Sequence, residues 1–226
     1  MSALLPFSPK SPRRRRLLGV ALGLPLACNA PCAHAGRQIE EPLADSVRTA
    51  MSAAIAQDAP PRNEFASTEA RLAHLRWLGE MSQRLRRRKA EHPARIEFLQ
   101  TLWYECGRAG LATDLVLGLI EVESGFRKYA ISSVGARGYM QVMPFWIRTI
   151  GRDSNVADAS RLFHLQTNLR FGCVILRHYL DIERGDLFLA LGRYNGSRGK
   201  AEYPNAVFAS RRRWQFKDGE PIKPPA

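Results

Sequence analysis

The chain lacks HExxH, CxxC, GxGxxG and phosphate-loop motifs. These absences remove the commonest zinc, dithiol, dinucleotide and nucleotide-hydrolysis chemistries from consideration. Long hydrophobic runs are also missing. The longest, Leu17 to Ala27 (LLGVALGLPLA), is too short to span a bilayer. No segment alternates apolar and polar residues for long and no internal repeat occurs, which excludes a strand-rich or solenoid fold. Acid is scarce, with 21 Asp and Glu against 34 Lys and Arg. The histidines His74, His92, His164 and His178 are scattered without metal-ligand spacing, so neither a metal nor a cofactor is expected.

What is present begins with an address. Arg13 to Arg16 form a basic block, the short apolar run follows, and Ala33-His34-Ala35 supplies small residues at the spacing of a signal-peptidase site. Residues 1–35 are expected to be a secretory signal, with the mature chain starting at Gly36 in the periplasm. Arg14-Arg15-Arg16-Leu17-Leu18 also resembles a twin-arginine signal. Lipid anchoring through Cys28 is disfavoured by Pro25, which stands where a lipobox has leucine. Cleavage removes Lys10 and Arg13 to Arg16 but no acid, leaving 29 basic and 21 acidic residues and a charge of +8. An exported cationic protein meets anionic wall or membrane surfaces rather than nucleic acid. The clusters RLRRRK (Arg84 to Lys89) and Arg211 to Arg213 are the candidate contacts, weighed against plain solvated faces. Of four cysteines, Cys106 and Cys173 remain, and an oxidising compartment allows a disulfide if they face each other across the core. Nothing in the sequence fixes the oligomeric state.

Hydrophobic periodicity predicts an all-α chain. Helices are expected within 42–59, over 67–88 (Leu72, Leu75, Leu78 and Leu85 at helical spacing), over 93–108, and over 114–123 with Thr113 as cap. Short helices follow near 140–150 and 160–163, then longer ones over 168–182, 186–193 and 203–213. Residues 36–92 read as an N-terminal helical extension, 93–210 as the compact domain, and 211–226 as a basic tail expected to be disordered.

The stretch IEVESGF holds two carboxylates. On a helical wheel with Leu115 at zero, Leu119 falls at about 40°, Val116 at about 100° and Ile120 at about 140°. Glu123 lands at about 80°, inside that apolar stripe, and Glu121 at about 240°, opposite to it. Glu121 is therefore expected at the surface, and Glu123 is expected to point where the core points. Desolvation there would raise its pKa and keep a proton available for donation to a leaving oxygen. The alternative is a helix-terminal Glu that bonds loop amides. A Gly-rich segment then carries Ser132, Ser133, Gly135 and Gly138. Gln141 offers an amide between Met140 and Met143, and Tyr194-Asn195 ends a later helix with a ring and an amide. One acid, amides and aromatic rings suit a sugar polymer.

Glu123-Ser124, Gly138-Tyr139-Met140-Gln141 and Tyr194-Asn195, in that order, resemble the signatures of the soluble lytic transglycosylase (SLT) domain, glycoside hydrolase family 23. The usual forms are E-S, G-L-M-Q and A-Y-N, so Tyr139 replaces Leu and Arg193 replaces Ala. The resemblance covers about residues 96–208. It implies a lysozyme-like α fold and peptidoglycan as substrate, with Glu123 as catalytic acid. It also implies Ser132, Gln141, Met143 and Tyr194 as groove residues, with Asn195 shaping that wall. A further Glu-Thr motif four residues before the tyrosine of the final helix is absent: Gly199 holds that place before Tyr203, and Glu202 is out of register. No second acid is assigned. The implied reaction needs only one: Glu123 protonates the oxygen between N-acetylmuramic acid and N-acetylglucosamine, then deprotonates the muramic O6 hydroxyl, which closes a 1,6-anhydro ring. The rivals are a hydrolytic muramidase using Asp153 or Asp158 to hold water, a wall-binding module without catalysis, and a polyanion-binding protein.

Overall fold

A helix that is buried on every side cannot be placed by its own pattern, and the fold is built around one. The computed structural model describes Glu40 and residues 43–56, 63–151 and 158–217. The expected signal, Cys28 and Asp153 lie outside the described residues, all of which fall in one compact unit. Among them are eight α-helices and a 3-10 turn at Ala159–Phe163. The helices are α1 Asp45–Ala56, α2 Thr68–Leu85, α3 His92–Ala109, α4 Thr113–Ser124, α5 Phe145–Ile150, α6 Leu165–Ile182, α7 Leu187–Asn195 and α8 Glu202–Trp214. Strands are absent among the described residues, which show only isolated bridges joining Ile131, Arg137 and Val142. No described helix is long and apolar enough to cross a membrane.

Local signals start and stop several helices as the sequence implies. The Ser67 hydroxyl accepts from Ala70 N and Asp186 Oδ1 from Leu189 N, satisfying N-terminal amides of α2 and α7. Gly110, Gly125 and Gly196 end α3, α4 and α7 in the left-handed conformation. Thr113 is not a cap. Ala112 holds that position without a side-chain bond, and the carboxylate of Asp114 accepts from Leu115 N instead.

The central helix is α4. Leu115 to Ile120, Glu123 and Ser124 are all buried on it. One side meets the core formed with α3 and the following loop, and the other side carries α8. Gly118 permits that contact: a Cβ there would lie 2.7 Å from the backbone N of Arg211. This packing corrects two expectations. Glu121 is not at the surface, because the face opposite the core stripe is covered by α8. Residues 211–214 are not tail, because α8 continues through Trp214, which is 2% exposed.

The extension packs onto the same core through Met51 and Ile55 of α1 and Trp77, Met81 and Leu85 of α2. Leu72 and Leu75, counted in the apolar pattern of α2, are 48% and 49% exposed, since the buried face of the helix runs instead through His74, Trp77, Leu78, Met81 and Leu85. A buried ion pair ties α3 to α6: Arg170 Nη2 lies 3.0 Å from Glu105 Oε1. Arg170 and Arg108 also donate to the carbonyls of Ile55 and Ala54 at the end of α1, where a cation suits the helix dipole. Cys106 and Cys173 are buried in the α3–α6 interface and act on each other, but both are free thiols; the disulfide is not formed.

The basic clusters are not simply solvated faces. Arg84, Arg88, Lys89, Arg211 and Arg213 all bond to other parts of the chain.

Candidate active site

Glu123 occupies the last turn of α4 and is 6% exposed. Its orientation follows the wheel, with apolar α4 neighbours on the same face. Burial pushes its carboxyl up to about 8. The one hydrogen bond acting against that shift comes from α8: Tyr203 donates its phenol hydrogen to Glu123 Oε1 at 2.5 Å. The phenols of Tyr203 and Tyr194 are themselves pushed well up, by burial and by the neighbouring Glu123. A carboxyl of this kind is protonated near neutral pH and is largely shielded from solvent, which suits it to donate a proton to a poor leaving group.

Beyond Gly125 the chain folds back on itself over residues 125–141. Gly138 N donates to Ala130 O at 2.9 Å, and Ser132 exchanges two bonds with Ala136, through its own N and its Oγ, each 3.0 Å. Gln141 adopts φ 48°, a left-handed conformation unusual outside glycine, and its amide donates to Ala130 O at 3.2 Å and Gly138 O at 3.0 Å. Asn168 of α6 is fully buried behind this segment. Its Oδ1 accepts from Met140 N at 2.8 Å, and its Nδ2 donates to Arg137 O at 2.9 Å and Leu162 O at 2.8 Å. Ser124, beside the acid, donates to Tyr139 O at 2.7 Å. Tyr194 donates to Met140 O at 2.8 Å. Thus α4, α6 and α7 all hold the GYMQ segment by its backbone.

The expected site residues divide accordingly. Glu123 and Tyr194 are neighbours. Gln141 and Tyr194 are buried, and the bonds above commit the Gln141 amide and the Tyr194 hydroxyl to the loop. Ser132 is half-buried with its hydroxyl committed to Ala136, and Met143 is half-buried against the core. Asn195 is buried at the end of α7. Its Nδ2 donates to Ser197 Oγ at 2.9 Å, and its Oδ1 has no partner among the described residues. None of Ser132, Gln141 or Asn195 hydrogen-bonds Glu123 among the described residues. Two residues that matter escaped the sequence reading. Tyr203 was noted only as a landmark of the final helix, and Asn168 only as a helix start. An asparagine on the buried stripe of α6 was the available signal for the second; a pairing across 80 residues left none for the first.

The Transglycosylase SLT domain family matches residues 104–216. Among similar proteins, the membrane-bound lytic murein transglycosylase C of Actinobacillus pleuropneumoniae serotype 5b is 52% identical over 76 residues, covering 30% of this chain and 20% of that one. The corresponding Haemophilus ducreyi protein is 41% identical over 85 residues, 33% of this chain and 22% of its own length. A transglycosylase of Enterobacteria phage PRD1 is 30% identical over 108 residues, 48% of this chain and 38% of the phage protein. A solved inactive mutant of the lytic transglycosylase Slt of Pseudomonas aeruginosa aligns with 64% of this chain and 27% of its own, at 23% identity and a TM-score of 0.41. The chain therefore spans about a fifth of the length of the membrane-bound relatives. Glu123, the loop to Gln141, and the tyrosines from α7 and α8 all lie within the matched stretch. That stretch is half of the residues, and the chain belongs to the Transglycosylase SLT domain family.

Proposed function

We propose that this chain is a lytic transglycosylase that cleaves the β-1,4 bond between N-acetylmuramic acid and N-acetylglucosamine in peptidoglycan. The observation that carries the reading is the state of Glu123: buried, shifted to about 8, and, among the described residues, acted on by a phenol rather than by a second carboxylate. A two-carboxylate glycosidase needs a partner acid across the scissile bond. Here the single carboxyl does both proton transfers. It protonates the glycosidic oxygen as the bond breaks, and the substrate's acetamido group supports the oxocarbenium-like state. The carboxylate so formed, held by the Tyr203 phenol, then takes the proton of the muramic O6 hydroxyl as that oxygen attacks C1. The product carries a 1,6-anhydromuramic end, and no water is consumed.

In this reading the segment from Ser132 to Met143 forms one wall of the groove and Tyr194-Asn195 the other. Gln141 and Tyr194 shape the walls through their loop bonds, and the unpaired Oδ1 of Asn195 is available to a substrate amide or hydroxyl. The names of the membrane-bound murein transglycosylases, together with the export pattern of residues 13–35, support a location in the cell envelope. Peptidoglycan is the partner this implies.

Of the two acids that the hydrolytic alternative could use to hold water, only Asp158 lies among the described residues. Asp158 is exposed and committed to the amide and hydroxyl of Ser160 at the start of the 3-10 turn, which hold its carboxyl below the usual range. Mass spectrometry of muropeptides released from purified sacculi separates the two reactions. Anhydromuramic ends are expected; reducing muramic ends would establish a muramidase.

A further inference from the structure

The stretch Arg84 to Lys89 precedes the family match, yet it touches the elements that hold Glu123. Arg84 Nη1 donates to the carbonyls of Arg213 and Gln215, both at 2.9 Å, at the end of α8. Arg88 pairs with Glu121 on α4 and lies over the rings of Phe126 and Trp214, at 5.5 and 5.9 Å from their centroids. Lys89 Nζ donates to the hydroxyl of Tyr139 at 2.8 Å and lies over the rings of Tyr139 and Phe98, at 4.9 and 5.2 Å. Arg95 fixes the stretch from behind, donating to the carbonyls of Lys89 and Ala90 at 2.6 and 2.8 Å.

Tyr139 is the centre of this arrangement. Its side chain is buried against Phe98 and gripped by Lys89. Its own carbonyl accepts from Ser124, the residue after the acid, and the next amide, Met140 N, is held by Asn168. Fixing the ring of Tyr139 therefore fixes the peptide plane that Ser124 uses, and so the last turn of α4. A half-buried ammonium is costly to place unless it is paired, and here its partners are a phenol oxygen and two ring faces.

We propose that residues 84–89 are a positioning element of the active site, and that Lys89 acts on Glu123 through Tyr139. The proposal rests on the reading of Glu123 as the catalytic acid. It makes the working unit longer than the family match, and it gives the tyrosine of the GYMQ segment a purpose that a leucine there could not serve.

The test compares Lys89→Met, Lys89→Arg, Tyr139→Phe and the double variant Lys89→Met/Tyr139→Phe in the full chain. kcat and KM are measured separately on solubilised peptidoglycan strands, with thermal unfolding followed in parallel. Misplacement of an acid by a fraction of an ångström predicts a loss in kcat of roughly tenfold, against about 10²-fold for a full ångström. The loss should appear in Lys89→Met and Tyr139→Phe with KM nearly unchanged, should be largely rescued in Lys89→Arg, and should be no greater in the double variant than in either single one. Losses that multiply in the double variant, a loss confined to KM, a loss accounted for by the unfolded fraction, or no loss at all would overturn the proposal. Should Lys89→Met fail to fold, Tyr139→Phe against Tyr139→Phe/Lys89→Arg carries the same comparison: equal kcat supports the pairing, and a further drop overturns it. Glu123→Gln is run alongside. If it retains full activity, the assignment of the acid has failed, whatever the Lys89 series shows.

Discussion

Tyr203 and Glu123 stand 80 residues apart in sequence and are joined by a 2.5 Å hydrogen bond from the phenol to Oε1. The bond stabilises the carboxylate and so opposes the upward pull of burial. It also fixes which carboxyl oxygen faces α8. Tyr203→Phe keeps the ring and removes the donor. The carboxyl should then titrate higher still. In the proposed reaction the first step needs the protonated acid, so activity is expected to fall as pH rises through the Glu123 pKa. The alkaline limb of kcat/KM, expected near pH 8 in the wild type, should therefore move up in Tyr203→Phe while the maximal rate drops. A limb that stays in place or moves down would mean the bond does not act on the titrating group.

Glu123→Gln should remove activity by at least the roughly 10²- to 10⁴-fold expected for loss of a general acid and base. The same change should stabilise the fold, with a definite pH dependence. The folded-state pKa of Glu123 is raised from 4.5 to about 8, so between those values the folded protein holds a proton that the unfolded chain has released. Wild-type stability therefore falls as pH rises through that window, with a penalty on the order of 3 kcal/mol by pH 7. Glutamine carries no such penalty. Thermal unfolding should show the variant and wild type close together at pH 4.5 and the variant clearly more stable at pH 7.5. Equal melting temperatures at both pH values would contradict the raised pKa.

The sequence exposes what is periodic and local. The helices over 67–88, 93–108 and 168–182 follow from apolar spacing, and the Ser67 cap of α2, the Gly110 stop of α3 and the Asp186 cap of α7 from the residues at their ends. The aim of Glu123 followed from a wheel because its own helix supplies the stripe. The same wheel misplaced Glu121, since a two-sided pattern assumes water on the second side. That side is covered by α8, whose end, Arg211 to Trp214, reads as a basic tail when taken alone. The arginines there and at 84–88 look solvated because an arginine's partner across the fold leaves no mark on spacing. Tyr203 was hidden for the same reason: it is defined by a bond to a side chain 80 residues away.

Gly138 is a position where the loop tolerates nothing larger. Its φ is 77°, and a Cβ would lie 2.3 Å from Asn168 Nδ2 and 2.5 Å from the carbonyl of Leu162. Gly135, at φ 87°, has open space around it. Gly135→Ala should therefore cost only left-handed strain, about 1–2 kcal/mol. Gly138→Ala should cost that plus overpacking of about 1–3 kcal/mol, and should displace the Asn168 contacts that hold Met140. Urea unfolding of the two variants measures the difference. Equal destabilisation would mean that the loop shifts freely against α6.

Glu121 shows how much depends on a carboxylate that performs no chemistry. Its Oε2 accepts from Ser210 Oγ at 2.6 Å and Trp214 Nε1 at 2.7 Å, and lies 3.2 Å from Arg213, while Oε1 pairs with Arg88. These partners come from α8 and from the basic stretch after α2, so one side chain ties both to the helix that carries the acid. Burial alone would raise its pKa, but the bonds from Ser210 and Trp214 and the charges of Arg88 and Arg213 outweigh that and lower it. Folding is thereby favoured at pH values above the unfolded carboxylate range, and that contribution is lost as pH falls through the lowered folded value. Glu121→Gln removes the charge and replaces one acceptor oxygen with an amide donor facing other donors. The arginines are largely exposed, so the cost comes mainly from the Ser210 and Trp214 donors, about 1–3 kcal/mol for leaving such groups unsatisfied. The loss should be largest near neutral pH and shrink as pH falls from the unfolded carboxylate range toward the lowered folded value. Thermal unfolding at pH 7 and pH 3 tests both statements. Glu121→Gln melting with the wild type at pH 7 would show that α8 is held by its apolar contacts alone.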